Sequence, residues 1–343
     1  MKLLFFGDMA IPDIETYSKL EKFINEKKLF KDKVVVGNLE GLIVDKEKAL
    51  KKYTSQLFNI PETLNLFNDN KYTVLTLANN HIKDIPNEFN NTIKSLEERN
   101  IGYVGAGKNK DDSCKPHEFE INNKKYAVFS HCWNVMSKIM EKKSKEIFVN
   151  DKPYNDLIED IRNYKINNKE TIIIVCLHWN FDFEMLPFPN HRKIAKKLID
   201  AGVKYVIGGH SHVINGGEIY KDGIIIYGMG NFCIPSNKFF EGKLKYLNEA
   251  TKQVILEVDE ESNEISYYYI ENSNITKENF KNGNIIKKYS EYRGVDEKEY
   301  LKYFRKNRTK KMLVPVYSKE KNAVKDILTI SRMKLLRRLK NIK

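Results

Sequence analysis

Cysteine is scarce in this chain, and long hydrophobic runs are missing. The four cysteines among the 343 residues lie far apart and form no C-x-x-C pair. This pattern predicts reduced, buried thiols rather than a disulfide framework. The first apolar run, Leu3 to Phe6, is four residues long, which is too short for the core of a signal peptide or for a membrane span. We therefore expect a cytoplasmic protein.

The main body of the chain also lacks an excess of basic charge, although the whole chain carries a net charge of +13. Residues 301–343 contain 15 Lys and Arg against two acids, Glu320 and Asp326. The first 300 residues hold 44 basic and 44 acidic side chains and are neutral. Binding to a phosphate backbone needs basic charge near the site. A nuclease is therefore disfavoured, and we expect no nucleic acid partner.

What the sequence does contain is an alternation of short apolar runs and amphipathic segments. Hydrophobic residues make up 41% of the chain, enough for a substantial core. The runs that predict buried strands are KLLFFGD, KVVVGNLE, TVLTLANNH, KKYAVFSHC, TIIIVCLHW, VKYVIGGHSH and GIIIYGMGNF. Four segments between them show the three- and four-residue spacing of helices. This alternation predicts a layered α/β domain, followed by a β-hairpin in KQVILEVDEESNEISYYYIEN.

The C-terminal part of the chain differs in composition. Its last 21 residues place Val324, Leu328 and Leu335 on one helical face and most basic residues elsewhere. A basic helix over 320–343 would lie on an anionic membrane surface or dock on a partner such as a synthase. The alternative is a solvated helix that packs on its own domain. We therefore predict one domain over 1–295 and a basic, largely helical extension over 296–343.

Five of the predicted strands end in polar residues that can bind a metal or transfer a proton. Because the carboxyl ends of strands in an open α/β sheet converge at one edge, we expect these side chains to lie together. They are Asp8; Asn38 and Glu40; Asn79, Asn80 and His81, followed by Asp84; His178; and His210 and His212.

The mixture of carboxylates and imidazoles indicates the kind of metal. It suits borderline divalent ions such as Mn, Fe or Zn, whereas an all-oxygen set would favour Mg or Ca. Two such ions about 3.5–4 Å apart can activate a water and stabilise the displaced oxygen of a phosphate ester. The sequence thus predicts one or two divalent metal ions.

The order of these motifs, GD…NLEG…ANNHIKD…VGAG…HW…GHSHV…GNF, resembles the CapA-type proteins of poly-γ-glutamate capsule biosynthesis. These proteins are a branch with the calcineurin-like metallophosphoesterase fold. The resemblance runs from about Lys2 to Phe232. It implies a four-layer α/β/β/α sandwich and a metal-dependent phosphoesterase site.

The resemblance also implies roles for single residues. Glu40 matches the acid that bridges two metals, and His81 matches the histidine that protonates the leaving group, with Asp84 to orient it. His178 and His210 match ligands of one metal, and His212 matches a ligand of the other. The implied metal ligands are Asp8, Glu40, Asn80, His178, His210 and His212. The candidate substrate contacts are Asn79, His131, Asp182, His191 and Asn231.

The chain departs from the family pattern at several positions. Ala10 stands where the superfamily has the histidine of Asp-x-His, which leaves the first metal position short of a ligand. Asn180 replaces a glycine, and Asp182 takes the place of an acid two residues later. His191 replaces a glutamine; it changes the substrate pocket, supplies a substitute ligand or is a surface residue of a helix.

Two functions follow as hypotheses. The first is hydrolysis of a phosphorylated small molecule, glycan or polymer by a metal-activated water, with His81 as general acid, in capsule or poly-γ-glutamate biosynthesis. The second is a non-catalytic accessory protein of capsule assembly, which binds a metal or polymer and docks at the membrane through its basic tail. Capsule-linked members carry an N-terminal membrane anchor, which the opening residues lack. We therefore expect a location in the cytoplasm, peripheral to the inner membrane face.

Overall fold

The computed structural model describes most of the chain. The described residues are 1–45, 56–140, 146–240, 242, 244–246, 248–262, 264–271, 274–279, 296–309, 324, 327–332 and 335. All residues that the sequence proposes for the site fall within these ranges. Most of the predicted basic helix over 320–343 lies outside them. The division into 1–295 and 296–343 stays a prediction.

The first sheet has a parallel centre that is extended by an antiparallel meander. Its order is β18-β17-β16-β1-β2-β5-β6, and β15 pairs in parallel with one end of β1. The strands are β1 (Lys2–Met9), β2 (Val34–Leu39), β5 (Tyr72–Thr76), β6 (Gly102–Val104), β15 (Asn231–Cys233), β16 (Gln253–Asp259), β17 (Glu264–Glu271) and β18 (Asn274–Asn279). The predicted hairpin forms as β16 and β17.

The second sheet also has a parallel centre, with antiparallel strands at both edges. Its order is β13-β14-β12-β11-β9-β8. The strands are β8 (His117–Ile121), β9 (Lys124–Cys132), β11 (Ile172–His178), β12 (Val203–Gly209), β13 (Ile214–Tyr220) and β14 (Gly223–Met229). Two short ladders join β3 (Leu42–Ile43) to β4 (Phe58–Asn59) and β7 (Ala106–Gly107) to β10 (Phe148–Val149).

The helices lie between the strands along the chain. They are α1 (Ile14–Glu26), α2 (Phe89–Glu98), α3 (Lys110–Cys114), α4 (Asn134–Met140), α5 (Tyr154–Asn167), α6 (Pro189–Asp200) and α7 (Glu297–Asn307), with 3₁₀ turns at Pro61–Phe67, Pro86–Glu88 and Asn248–Thr251. The Asp13 side chain caps α1 by accepting a hydrogen bond from the backbone N–H of Thr16. The four helices that the sequence predicts are α1, α2, α5 and α6.

Successive residues of the first sheet serve two different apolar layers. Phe5 packs between the sheets, with its ring 5.6 Å from the ring of Tyr205 in β12. Phe6 points to the opposite face and shares a core cluster with Tyr17 and Ile24 of α1. Burying a side chain of this size stabilises the fold by about 2 kcal/mol.

The second sheet alternates in the same way. Ile174 belongs to the layer between the sheets, whereas Ile173 belongs to the cluster that contains Ile194 and Leu198 of α6. Two sheets therefore face each other with helices outside both. The prediction of a four-layer α/β/β/α sandwich is confirmed.

Helix α7 packs on this sandwich. Tyr300 and Phe304 are buried, and the ring of Phe304 lies 5.0 Å from the ring of Phe188, just before α6. Within the described residues, no helix is both long and apolar enough to cross a membrane.

Candidate metal centre

The carboxyl ends of the two sheets meet at one edge of the sandwich. Asp8 lies beside Asn38 in the register of β1 and β2, and the side-chain amide of Asn38 donates to Asp8 Oδ1 over 2.7 Å. The backbone N–H of His210 donates to Asp8 Oδ2 over 2.9 Å. Asn38 Nδ2 also lies 3.5 Å from Nδ1 of His178, which ends β11. The predicted convergence of strand ends therefore brings residues of both sheets together.

Glu40 is the most unusual residue of this edge. It is 0% exposed, and neither carboxylate oxygen has a hydrogen-bond partner among the described residues. Two histidines face it: His81 Nε2 lies 3.8 Å and His178 Nε2 3.9 Å from Glu40 Oε1. Burial, and then the charge of Asp8, raise the pKa of Glu40 well above its usual value. A carboxylate buried in this way is costly unless a cation neutralises it.

Six side chains supply ligand atoms for such a cation. They form three overlapping groups, in each of which one ligand atom per residue lies within 4.8 Å of the others. The groups are Glu40–His178–His210, Asp8–Glu40–His212 and Asp182–His210–His212. Burial, and then the neighbouring histidines, hold the pKa of His178 well below its usual value, so its ring is neutral. A neutral imidazole is the form that binds a metal.

Asn80 joins the first of these groups. Its Oδ1 lies 2.6 Å from Nε2 of His178. Ala10, by contrast, is completely buried and offers no ligand next to Asp8. The residues present therefore fit a divalent cation at Glu40, His178 and His210 better than at Asp8, Glu40 and His212.

His81 is held by its neighbours in the loop after β5. Its Nδ1 lies 2.8 Å from Oδ2 of the buried Asp84, and its backbone N–H donates to Asn79 Oδ1 over 3.1 Å. Asn79 also donates from Nδ2 to the carbonyl oxygen of Leu39 over 2.8 Å. Asn79 is 1% exposed, so its visible role is to tie this loop to β2.

The two histidines after β12 sit in a strained turn. His210 and His212 have φ angles of 80° and 57°, in the left-handed region that most residues avoid. Such strain persists where surrounding contacts impose it, and it is common at functional sites. Here His212 Nδ1 lies 2.8 Å from Asn231 Oδ1, which makes Nδ1 the donor and leaves Nε2 as the ligand atom.

The paired glycines before this turn permit two close approaches, that of Gly208 to β14 within the second sheet and that of Gly209 to Asp8 of the first sheet. A Cβ atom at Gly208 would lie 2.1 Å from the carbonyl oxygen of Tyr227, and one at Gly209 would lie 2.7 Å from Asp8 Oδ1. Any side chain there would displace the backbone or the carboxylate.

The loop after β11 carries Asp182, whose Oδ1 lies 3.6 Å from His210 Nε2. Asn180, in place of the family glycine, has a φ angle of 73°, which asparagine tolerates better than most residues. Its side-chain amide donates to the carbonyl oxygen of Leu186 over 3.2 Å and to Asn215 Oδ1 over 3.1 Å. The exchange of glycine for asparagine is thus compatible with the backbone of this loop.

His131 and His191 lie elsewhere in the core and belong to none of the three ligand groups. His131 Nε2 lies 2.8 Å from the carbonyl oxygen of Lys152. The His191 ring stacks on Trp179 at 4.7 Å, and burial lowers the pKa values of His131 and His191 to about 4 and about 3. The interpretation of His191 as a surface residue is wrong, because the aromatic core encloses its ring and only 1% of it is exposed.

Two residues of the centre received no role from the sequence: Asn38, which was predicted only to lie at this edge, and Tyr246. Asn38 precedes Glu40 by two positions in the chain, and this spacing could have indicated its role. Tyr246 has no such signal, because it comes from a remote segment. Its ring lies 5.8 Å from the ring of His212, and burial followed by the charges of Glu40 and Asp8 raises its pKa.

Comparison with known proteins places the chain among capsule proteins. A family model described as "Bacterial capsule synthesis protein PGA_cap" matches residues 3–236. The chain belongs to this family. The capsule biosynthesis protein CapA of Bacillus anthracis is 30% identical over 206 residues, which are 58% of this chain and 49% of that protein. The resemblance found in the motifs is confirmed.

A second relative matches a similar length of the chain. The PGA biosynthesis protein CapA of Bacillus subtilis (strain 168) is 26% identical over 211 residues, which are 58% of this chain and 52% of that protein. The chain thus spans about half the length of these curated relatives. Among solved structures, the NAD nucleotidase of Haemophilus influenzae is 11% identical, with a TM-score of 0.41 over 81% of this chain and 54% of that one.

Proposed function

We propose that this protein is a metal-dependent phosphoesterase-like hydrolase of capsule or poly-γ-glutamate biosynthesis. The observation that carries the proposal is Glu40, a fully buried carboxylate without a hydrogen-bond partner among the described residues, next to Asp8 and three histidines. Glu218, another buried glutamate, has Arg192 as its cation, with Arg192 Nε 2.9 Å from Glu218 Oε1. Glu40 has no such partner among the residues that the structure describes, which supports a bound metal as its cation.

The residues that would hold the metal are those of the two groups that share Glu40. Glu40, His178 and His210, with Asn80 beside them, form the better-furnished group. A bound divalent cation supplies Lewis-acid chemistry, which lowers the pKa of water and offsets negative charge on phosphate oxygens. The ligand set favours Mn, Fe or Zn.

His81 is the residue that we propose as general acid. Asp84 fixes its Nδ1, so Nε2 is the nitrogen directed toward Glu40 at 3.8 Å. The His81 side chain is 12% exposed and remains reachable from solvent. Its Nε2 can therefore hold a proton at the edge of the centre and donate it to the oxygen that leaves phosphorus.

The substrate that we propose is a phosphorylated small molecule, glycan or polymer. The neutral composition of the first 300 residues argues against nucleic acid. We also propose that the basic segment 320–343 contacts an anionic membrane face or a membrane synthase. Removal of that segment should then reduce binding to anionic vesicles or capture of the synthase.

One experiment tests the hydrolase directly. Protein purified without chelator is assayed for metal content and then for hydrolysis of p-nitrophenyl phosphate and bis-p-nitrophenyl phosphate with Mn, Fe and Zn. We expect one or two metal equivalents and turnover that requires the metal. His210→Ala should remove both. The control His117→Ala should remove neither the metal nor the turnover. His117 lies on β8, where its Nε2 is hydrogen-bonded to Tyr72, and it belongs to none of the three ligand groups.

The accessory protein is the second candidate, and Ala10 favours it because the first metal position lacks its imidazole. A metal content of one or two equivalents with no turnover on any ester would overturn the hydrolase and leave this alternative. Hydrolysis that persists in His210→Ala would instead overturn the assignment of the site.

A further inference from the structure

Asp182 lies close to two histidines of the metal centre. Its Oδ1 is 3.6 Å from His210 Nε2, and ligand atoms of Asp182, His210 and His212 lie within 4.8 Å of one another. We propose that Asp182 is a metal ligand and that these three residues bind a divalent cation on the solvent-facing side of the centre. This outer site, as we name the three residues, rests on the metal centre proposed above.

The loop that carries Asp182 is tied directly to the two histidines. The backbone N–H of Phe183 donates to the carbonyl oxygen of Ser211, between His210 and His212, over 2.8 Å. Phe183 adopts a φ angle of 61°, so the loop turns sharply immediately after Asp182. The backbone therefore fixes the distance between the Asp182 carboxylate and the imidazoles.

A second set of contacts joins the same loop to the segment that includes α7. The completely buried Glu184 accepts a hydrogen bond from the backbone N–H of Thr309 over 3.0 Å. The hydroxyl of Tyr300 donates to the carbonyl oxygen of Pro187 over 2.5 Å. The segment that includes α7 thus stabilises the backbone of the loop that carries Asp182.

The donor set of the outer site has a recognised chemistry. Two imidazoles and one carboxylate bind Zn or non-haem Fe in sites that keep further positions open. His212 Nδ1 is engaged with Asn231, which directs Nε2 to the metal. Because the Asp182 side chain is 36% exposed, water or a substrate oxygen can reach the remaining positions.

The outer site differs from the two groups that contain Glu40. Glu40 is completely buried and belongs to both of them but not to the outer site. His210 and His212 each belong to one Glu40 group as well. Because one imidazole nitrogen binds one cation, a cation held by His212 Nε2 in the outer site excludes a cation at Asp8, Glu40 and His212. We therefore expect the outer cation to bind more weakly than a cation at Glu40 and to leave first when a chelator is added.

Metal titration of Asp182→Asn tests the assignment. Co²⁺ and Zn²⁺ are titrated into the wild-type chain, Asp182→Asn and the control Asp200→Asn, an exposed acid that pairs with Lys221. Calorimetry gives affinity, and the visible spectrum of Co²⁺ reports its ligands. We expect Asp182→Asn to weaken the lower-affinity class of sites by roughly ten- to hundredfold and to change its spectrum. Asp200→Asn should match the wild type.

The outcomes separate the two proposals. Wild-type affinity and spectrum in Asp182→Asn would overturn the outer site, leave the Glu40 centre intact and reduce Asp182 to an ion-pair partner of His210. Wild-type protein that binds no Co²⁺ or Zn²⁺ would overturn both. Anomalous diffraction from a Zn²⁺-soaked crystal gives a further check: the expected peak lies between Asp182, His210 and His212, and a peak confined to Glu40 contradicts the outer site.

Discussion

A buried carboxyl group lies near each end of strand β2, and the two groups have different neighbours and opposite shifts in pKa. Near the amino end of β2, Glu257 of strand β16 contacts Lys33, the residue before β2, and Lys277 of β18. Lys277 Nζ lies 2.7 Å from Glu257 Oε1. Although burial opposes it, these lysines lower the pKa of Glu257 to about 2. At the carboxyl end, Glu40 is equally buried but lacks a hydrogen-bond donor among the described residues, and its pKa is raised well above its usual value.

The difference separates a carboxylate that serves stability from one that serves a site. Glu257 is neutralised by cations of the chain, which offset the loss of its hydration. The titratable groups that the described residues place near Glu40 are acids, led by Asp8, and histidines, and most of them are metal ligands in the proposed centre. The fold therefore carries, at one end of β2, a buried carboxyl group whose ionised form an added cation would stabilise.

The largest expected effect is that of Glu40→Gln. We expect hydrolysis to fall by at least about 10²-fold and the metal content to drop, because Glu40 is the ligand that the groups Glu40–His178–His210 and Asp8–Glu40–His212 share. In metal-free protein the same change should leave the free energy of unfolding unchanged or raise it, because it removes a buried carboxyl group that has no hydrogen-bond partner among the described residues. Turnover, elemental analysis and chemical denaturation measure these quantities. A clear loss of metal-free stability would show that Glu40 serves the fold, as Glu257 does.

His81→Gln separates proton transfer from metal binding at the carboxyl end of the sheets. We expect kcat to fall by about 10²–10⁴-fold for substrates with poor leaving groups, and by less for nitrophenyl esters, which need little protonation. Metal content should not change, because His81 belongs to none of the three ligand groups. Equal losses on all substrates would contradict the role of general acid. His117→Gln is the matched control.

Glu257→Gln tests the amino end. We expect a loss of about 3 kcal/mol in the free energy of unfolding at pH 7, because Lys33 and Lys277 lose their buried partner. Activity should stay within about twofold of wild type, since the centre lies at the opposite end of β2. Glu264→Gln, at an exposed position of β17, is the control.

The pH dependence of stability in wild type and Glu257→Gln tests whether the charge of Glu257 stabilises the fold. The pKa of Glu257 falls from 4.5 to about 2 on folding, so its contribution is complete above about pH 4.5. It is lost as the pH falls toward about 2. The difference in unfolding free energy between wild type and Glu257→Gln should therefore shrink over that interval. A constant difference would mean that packing, not charge, stabilises Glu257.

The smallest effect is expected at a third buried carboxylate, Glu184. Arg308→Leu removes a guanidinium whose Nε is 3.8 Å from Glu184 Oε2. We expect a loss of about 1–2 kcal/mol, because Glu184 still accepts hydrogen bonds from the backbone of Thr309 and Leu186. Thermal unfolding measures it, with the exposed Arg305→Leu as control. A loss as large as that of Glu257→Gln would show that Arg308 is the principal partner of Glu184.

The sequence alone was sufficient for the long central strands of both sheets and for four helices, and it indicated where polar strand ends would converge; edge strands such as β8, β13 and β18 were not predicted. Apolar runs such as those of β1, β2, β11 and β12 have one stable arrangement, the interior of a layered sheet, and their carboxyl ends share an edge. The polar residues that follow them, from Asp8 to His212, could thus be predicted to lie together. These are local properties, which the side chains of a short segment set by themselves.

Only the tertiary structure decided which neighbours these residues have. His191 lies on an amphipathic helix, and no local pattern could reveal that Trp179 and Trp133 enclose it. Tyr246 reaches the centre from a remote segment, and Asp182 meets His210 through a loop that Glu184 and Thr309 hold. Glu40 and Glu257 are both glutamates in or beside strands; whether a lysine or a group of histidines faces each one depends on packing between distant segments, which period and propensity do not encode.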